Sequence, residues 1–150
     1  MKIGALAVSV VCGCLVLGLA GLRASEELKA IVGSYLEIHA QLATDKFDGV
    51  KAPALALGTR AAEMGEKGAA MAKAAKTVAD ASDLKAARDA FGPLSDAVLA
   101  AAKAEGYKDL SGVKIAYCPM VRQSWLQKDE KIRNPYYGST MLECGEFKKP

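Results

Sequence analysis

The stretch VKAPALALGTRAAEMGEKGAAMAKAAKTV, residues 50–78, decides how the chain is read. Val50, Ala54, Leu57, Ala61, Met64, Gly68, Met71, Ala75 and Val78 recur at alternating steps of four and three. That spacing predicts one helix from about Val50 to Val78 with a heptad-like apolar stripe. The stripe is built from small residues, which let another helix approach closely. Pro53 is tolerated if the helix begins near it. Gly58, Gly65 and Gly68 each weaken a helix by roughly 1 kcal/mol against alanine, so tertiary packing has to supply the difference.

The flanking segments carry the same period. In EELKAIVGSYLEIHAQLA, residues 26–43, Leu28, Ile31, Tyr35, Ile38 and Leu42 share one face. Ser25 is the expected N-cap, and Glu26 and Glu27 suit the positive end of the helix dipole. Thr44 to Gly49 is a polar break. Ser82 is the expected cap of a further helix, on which Leu84, Ala87, Phe91, Leu94, Val98 and Ala101 form the stripe. Gly92-Pro93 predicts a kink there, because proline lacks a backbone donor and clashes with the preceding turn. Gly106 is the expected stop.

Beyond Tyr107 alanine becomes scarce and turn residues take over. VKIAYC, residues 113–118, alternates like a short strand, and Pro119 ends it. IRNPYYG, residues 132–138, is a turn-rich loop. The fold class that follows is mainly α. It is an antiparallel three-helix, bundle-like domain with a short, turn-rich, partly β C-terminal segment.

The first 24 residues are expected to lie outside that domain. Lys2 precedes an uncharged apolar run from Ile3 to Leu22, and Ala24 offers a small residue before a cut. This order reads as a secretory signal peptide, leaving residues 25–150 as a single exported domain. The run is also long enough to anchor the chain in a membrane if it is retained. Gly13 before Cys14 admits a lipoprotein cut as a third variant. With the leader gone, Lys2 and Arg23 leave, so 20 basic residues become 18 against 17 acidic ones. A net charge near neutrality gives no footing for nucleic acid or an anionic membrane surface. Cys12 and Cys14 leave too, so Cys118 and Cys144 face an oxidising compartment.

Each of these cysteines has a methionine nearby. Cys118 and Met120 are two apart, and an extended strand would place both on one face. Met141 and Cys144 are three apart, within one helical turn. Four converging sulfurs would suit a soft monovalent cation such as Cu(I) or Ag(I). Thioethers carry no proton and remain ligands at acidic pH, where thiols are mostly protonated. His39, the sole histidine, flanks the apolar face of the first helix and is a further candidate ligand. The competing reading is a Cys118–Cys144 disulfide, which would close a loop of about 27 residues and contribute on the order of 3 kcal/mol. Met64 and Met71 read as core filler. Trp125, Tyr136 and Tyr137 read as packing residues. KDEK, residues 128–131, reads as a solvated turn. Cys-x-x-Cys-His, a phosphate-binding glycine loop and His-Glu-x-x-His are all absent from the sequence. Histidine-dependent catalysis would have to use His39, and no neighbouring motif supports that.

YCPM (117–120), WLQ (125–127), IRNPYYG (132–138) and MLECG (141–145) together resemble a signature of uncharacterised periplasmic domains. Those domains occur alone or at the C-terminus of heavy-metal efflux adaptor proteins, which bridge the two membranes in copper- and silver-exporting pumps. The family usually carries a longer, glycine-containing insert between the CPM and WLQ elements. Here only Val121 to Ser124 intervene. The resemblance implies export and a link to copper handling, with an efflux adaptor or a metallochaperone as partner. The expectation is therefore a non-enzymatic periplasmic protein that takes Cu(I) or Ag(I) on Cys118, Met120, Met141 and Cys144, with His39 as an accessory. The alternative is a disulfide-stapled interaction module of the envelope without metal.

Overall fold

A computed structural model describes residues 11–107 and 110–149, and only the backbone of residues 11–24. Residues 1–10 of the expected leader lie outside the described residues. Among the described residues four α-helices come first: α1 (Val11–Ala43), α2 (Lys51–Glu63), α3 (Ala69–Ala79) and α4 (Leu84–Ala104). Three short strands follow: β1 (Lys114–Cys118), β2 (Gln123–Gln127) and β3 (Glu146–Lys148). The chain is mainly α with a partly β C-terminal segment. Among the described residues no helix is long and apolar enough to cross a membrane.

The stretch 50–78 folds as two helices, not one. A 3₁₀ turn over Gly65–Lys67 divides it, with Gly65 at a φ of 63°. The predicted stripe is nevertheless the buried one. Val50, Ala54, Leu57, Ala61, Met71, Ala75 and Val78 are all in the core. Small residues on both halves let α2 fold back against α3, and this is the most extensive helix contact in the chain. At Gly68 the backbone passes close to the end of α2, and a Cβ there would overlap the Ala61 carbonyl oxygen. Two of the three glycines that cost helix propensity, Gly65 and Gly68, therefore mark the bend.

Two helix starts also differ from expectation. α1 runs through Ser25 from Val11, so Ser25 is not its cap. α4 is capped by Asp83 instead of Ser82; the Asp83 carboxylate accepts from the Ala86 N–H at 2.8 Å. Pro93 lies inside a helix assigned without interruption across Gly92. The end of α4 is a Schellman motif: Gly106 N–H donates to Lys103 O and Tyr107 N–H to Ala102 O, at 2.9 and 2.8 Å.

Successive helices are neighbours, and α4 also contacts α1 and β2. The antiparallel sheet has the order β2-β1-β3. Register pairs Cys118 with Gln123 and Ala116 with Trp125 on one side of β1, and Ala116 with Phe147 on the other. Trp125, Leu126 and Gln127 are all buried, because helices and the C-terminal loop cover both faces of β2. A ladder of aromatic rings joins the layers. Tyr35 of α1 stacks on Phe91 of α4 at 4.9 Å between centroids. Phe91 and Trp125 each meet Tyr136 at 5.9 Å.

The bend separates two kinds of glycine. Gly68→Ala is expected to lose about 1–3 kcal/mol from overpacking at Ala61. Gly33→Ala, in exposed α1 with nothing within 4 Å of the new Cβ, is expected to gain roughly 0.5–1 kcal/mol from helix propensity. Equilibrium urea unfolding of the two variants checks both signs.

Candidate functional site: the paired sulfurs

The two cysteines expected to matter do meet. Cys118 ends β1, and Cys144 closes a turn in which its N–H donates to the Met141 carbonyl at 3.0 Å. Their Sγ atoms are 3.6 Å apart, and both are thiols. Cys118 is fully buried, whereas Cys144 is partly exposed. Gly145, at a φ of 145°, follows directly, and a Cβ there would stand 2.9 Å from both Trp125 and the Tyr117 carbonyl. The chain can pass this close to β1 only because residue 145 lacks a side chain.

Met120 and Met141 are placed differently from expectation. β1 stops at Cys118, so residues 118–120 do not form the extended run that would put Cys118 and Met120 on one face. Met120 instead lies in the four-residue turn Pro119 to Arg122 and is 64% exposed. The turn can be this short because Arg122 takes a φ of 55°, and the scarcity of residues between CPM and WLQ is what makes it tight. Met141 is 37% exposed and begins the turn that Cys144 ends. One sulfur is thus sunk in the fold, one is half-covered, and two thioethers belong to exposed residues.

The surroundings set the thiols apart. Burial pushes the Cys118 thiol up, but the Val121 and Met120 N–H groups, the Cys144 thiol and Asn134 outweigh it. The net shift is below the ordinary thiol value. Cys144 is displaced upward, first by its hydrogen bond to Cys118, then by desolvation and the Cys118 charge. A thiolate is therefore favoured on the inner sulfur.

Asn134 organises this region, and the sequence reading passed over it. Its side chain is fully buried. Nδ2 donates to the Cys144 carbonyl at 2.7 Å, and Oδ1 accepts from the Tyr136 and Tyr137 N–H groups at 2.8 and 3.3 Å. Its own N–H donates to Leu142 O at 2.7 Å. An asparagine just before proline is a turn signal, but nothing local announces that its amide reaches Cys144. Gln127 plays a similar part beside it. Its Oε1 accepts from Trp125 Nε1 and the Arg133 N–H, and its Nε2 donates to the Asp129 and Lys131 carbonyls.

His39 is 2% exposed and its Nε2 bonds to the Arg133 carbonyl at 2.8 Å, which makes Nε2 the donor and engages it with the backbone. Its pKa lies below the ordinary value, chiefly from burial, although the Arg133 carbonyl opposes this. In this arrangement His39 holds the strand of loop that leads into Asn134. Arg88 does the same from α4: Nε donates to Pro135 O at 3.0 Å, Nη2 to Leu42 O at 2.8 Å, and Nη2 also pairs with Asp45. The turn at Gly138 leaves room for that pair; a Cβ there would overlap both partners.

Among the described residues no group of three or more His, Cys, Asp and Glu side chains could hold a metal ion. Comparison of the chain with protein-family models, curated proteins and solved structures gives no match.

Two outcomes test this geometry. Asn134→Asp keeps the acceptor for the Tyr136 and Tyr137 amides but removes the donor to Cys144 and adds a charge beside Cys118. It is expected to raise the Cys118 pKa, read as thiolate ultraviolet absorbance against pH, and to cost about 1–3 kcal/mol. For His39 the folded pKa lies below the unfolded value of 6.5, so the unfolded chain binds more protons just below that pH. Stability should fall as pH drops below 6.5 and level off beneath the folded pKa. Melting temperature against pH in wild type and His39→Gln isolates that component, which the variant should lack.

Proposed function

We propose that this chain is an exported, non-enzymatic metal-handling domain. It would bind Cu(I) or Ag(I) through the Cys118 and Cys144 sulfurs, with Met120 and Met141 as thioether ligands at the exposed rim. The observation that carries this reading is the 3.6 Å separation of the two Sγ atoms. Two thiolates on one soft ion, each at about 2.3 Å, stand about 3.8 Å apart at a tetrahedral angle. The pair needs little movement to reach that spacing. Amide N–H groups directed at Cys118 favour its thiolate form, which is the form that binds metal. The exposure of Met120 and Met141 suits handover to a partner, for which an efflux adaptor or a metallochaperone is proposed. The resemblance of the motifs in residues 117–145 to adaptor-associated periplasmic domains supports the same reading and the periplasmic location.

The same separation favours a second reading. A rotation about the side-chain bonds brings two such sulfurs to a disulfide length of about 2.05 Å. The chain would then be a stapled interaction module of the envelope, without metal.

A titration of the reduced full-length chain carrying Cys12→Ser and Cys14→Ser with Cu(I), against a chromophoric competitor, tests the first reading. One Cu(I) per chain is expected. Cys118→Ser should weaken binding by at least about 100-fold, beyond the 10–100-fold typical of residues that only support a ligand. Met120→Leu combined with Met141→Leu should weaken it without abolishing it. Absence of competition by the reduced chain would leave the stapled module.

A further inference from the structure

The cysteine pair is asymmetric in a way that metal binding does not require. Cys118 is wholly enclosed, and Cys144 reaches solvent. Both backbones are fixed. Cys118 lies in the β1–β2 ladder opposite Gln123, while Cys144 is held through its N–H to Met141 O and through its carbonyl by Asn134 Nδ2. Only the side chains remain free to close the 3.6 Å gap.

We propose that Cys118 and Cys144 form a thiol–disulfide exchange centre, in which Cys144 receives an incoming low-molecular-weight disulfide and Cys118 resolves the mixed disulfide. The order of events follows from access. A disulfide RSSR must be approached along its S–S axis by the attacking sulfur, and of the two thiols in this pair Cys144 is the one that reaches the surface. Cys144 loses its thiol proton to solvent base and its sulfur bonds to one sulfur of RSSR. The S–S bond breaks, and the departing RS⁻ takes up a proton. Cys118, already beside Cys144 Sγ, then loses its proton and attacks that atom. The mixed S–S bond breaks, and the second RS⁻ leaves and is protonated. Two protein thiols are oxidised by two electrons, and one RSSR is reduced to two RSH. Excess RSH reverses the sequence, again through Cys144.

This reactivity goes beyond the metal reading and does not need it. The two uses compete for the same atoms, since a closed disulfide has no thiolate to donate. An exchange-competent pair would thus set whether the domain can hold a soft metal through its thiols.

Oxidised glutathione is the probe, added to the reduced full-length chain carrying Cys12→Ser and Cys14→Ser, which leaves Cys118 and Cys144 as its two thiols and serves as the wild-type pair; acid quenching and intact mass are the readout. Wild type is expected to form the intramolecular disulfide without a lasting adduct. Cys118→Ser should accumulate one glutathione on Cys144. Cys144→Ser should react at least about 10-fold more slowly than either. Because a serine variant can disturb the fold, sub-stoichiometric iodoacetamide on native wild type gives an independent measure: label should fall on Cys144 before Cys118. Reaction of Cys144→Ser at the wild-type rate, or first labelling of Cys118, overturns the assigned roles. A wild-type disulfide that excess reduced glutathione does not reopen makes the pair a fixed staple and removes the proposal. The Cu(I) titration is read separately, so loss of metal binding with intact exchange sinks only the metal reading.

Discussion

A buried asparagine holds the C-terminal third in place. Asn134 has no access to solvent, so its amide must find every partner inside the protein or bear a desolvation cost of about 1–3 kcal/mol per unsatisfied group. It finds them on two segments at once. The Tyr136 and Tyr137 amides close a turn on its oxygen, the Cys144 carbonyl takes its Nδ2 proton, and Leu142 takes its main-chain proton. The cysteine-bearing turn is therefore fastened to the 134–138 turn by hydrogen bonds, with little apolar area of its own. Remove the amide and Cys144 loses the contact that fixes its backbone opposite Cys118.

That turn is in turn seated on the helices by polar groups inside an apolar core. Tyr136 donates to Ser124 O and shares a hydrogen bond with Ser95 Oγ, Tyr35 and Ser95 share a 2.6 Å bond, and the Leu126 N–H donates to the Tyr35 hydroxyl. The hydroxyls thus link α1, α4, β2 and the loop through one chain of contacts. Burial raises both tyrosine pKa values well above the ordinary range, so the two remain neutral donors at physiological pH. Apolar packing could join the same elements in several slightly shifted registers. Directed hydrogen bonds of this kind admit fewer, because a shift leaves a buried hydroxyl without its partner. Arg88 adds an outer clamp between Leu42, Asp45 and Pro135.

How much of this was legible in the sequence follows from which forces are periodic. Core positions on the helices were legible, since Ile31, Tyr35, Leu57, Met71, Phe91 and Val98 repeat at helical spacing and are all buried. The bend at Gly65–Gly68 was not. A stripe keeps its phase across a short turn, so periodicity alone cannot tell one long helix from two that fold together, and the glycine cluster was the signal available. The strand at 113–118 and the meeting of Cys118 with Cys144 were legible, whereas the partner strand through WLQ was not, since Trp125 reads only as a packing residue. The position of Met120 was not legible either, because extension stops at Cys118 and the chain turns at Pro119. Asn134, Arg88 and Asp45 were missed for a common reason: the partners that matter, Cys144 for Asn134, Leu42 and Pro135 for Arg88 and Ser139 for Asp45, lie 10 to 94 residues away, and sequence order carries no record of such pairings. Gln127 was missed although its partners lie within six residues, because no periodic pattern marks a buried amide at the end of a strand.

The inner and outer placement of the sulfurs has its own cause in the shortness of the β1–β2 turn. Antiparallel pairing of Cys118 with Gln123 leaves only Pro119 to Arg122 to reverse the chain. A turn that tight directs its amides inward, and the Met120 and Val121 N–H groups reach the Cys118 sulfur. The same reversal carries the Met120 side chain outward. A longer, glycine-containing insert would relax both effects: the amides would be free to turn away, and the methionine would no longer be tied next to the cysteine. Thiolate stabilisation inside and thioether exposure outside are thus two consequences of one loop length. In the proposed reading that coupling gives a soft cation one fixed ligand and one displaceable ligand. A handover between proteins requires this, because an ion held only by buried sulfurs would leave slowly, while one held only by exposed thioethers would be shared with any competitor in solution.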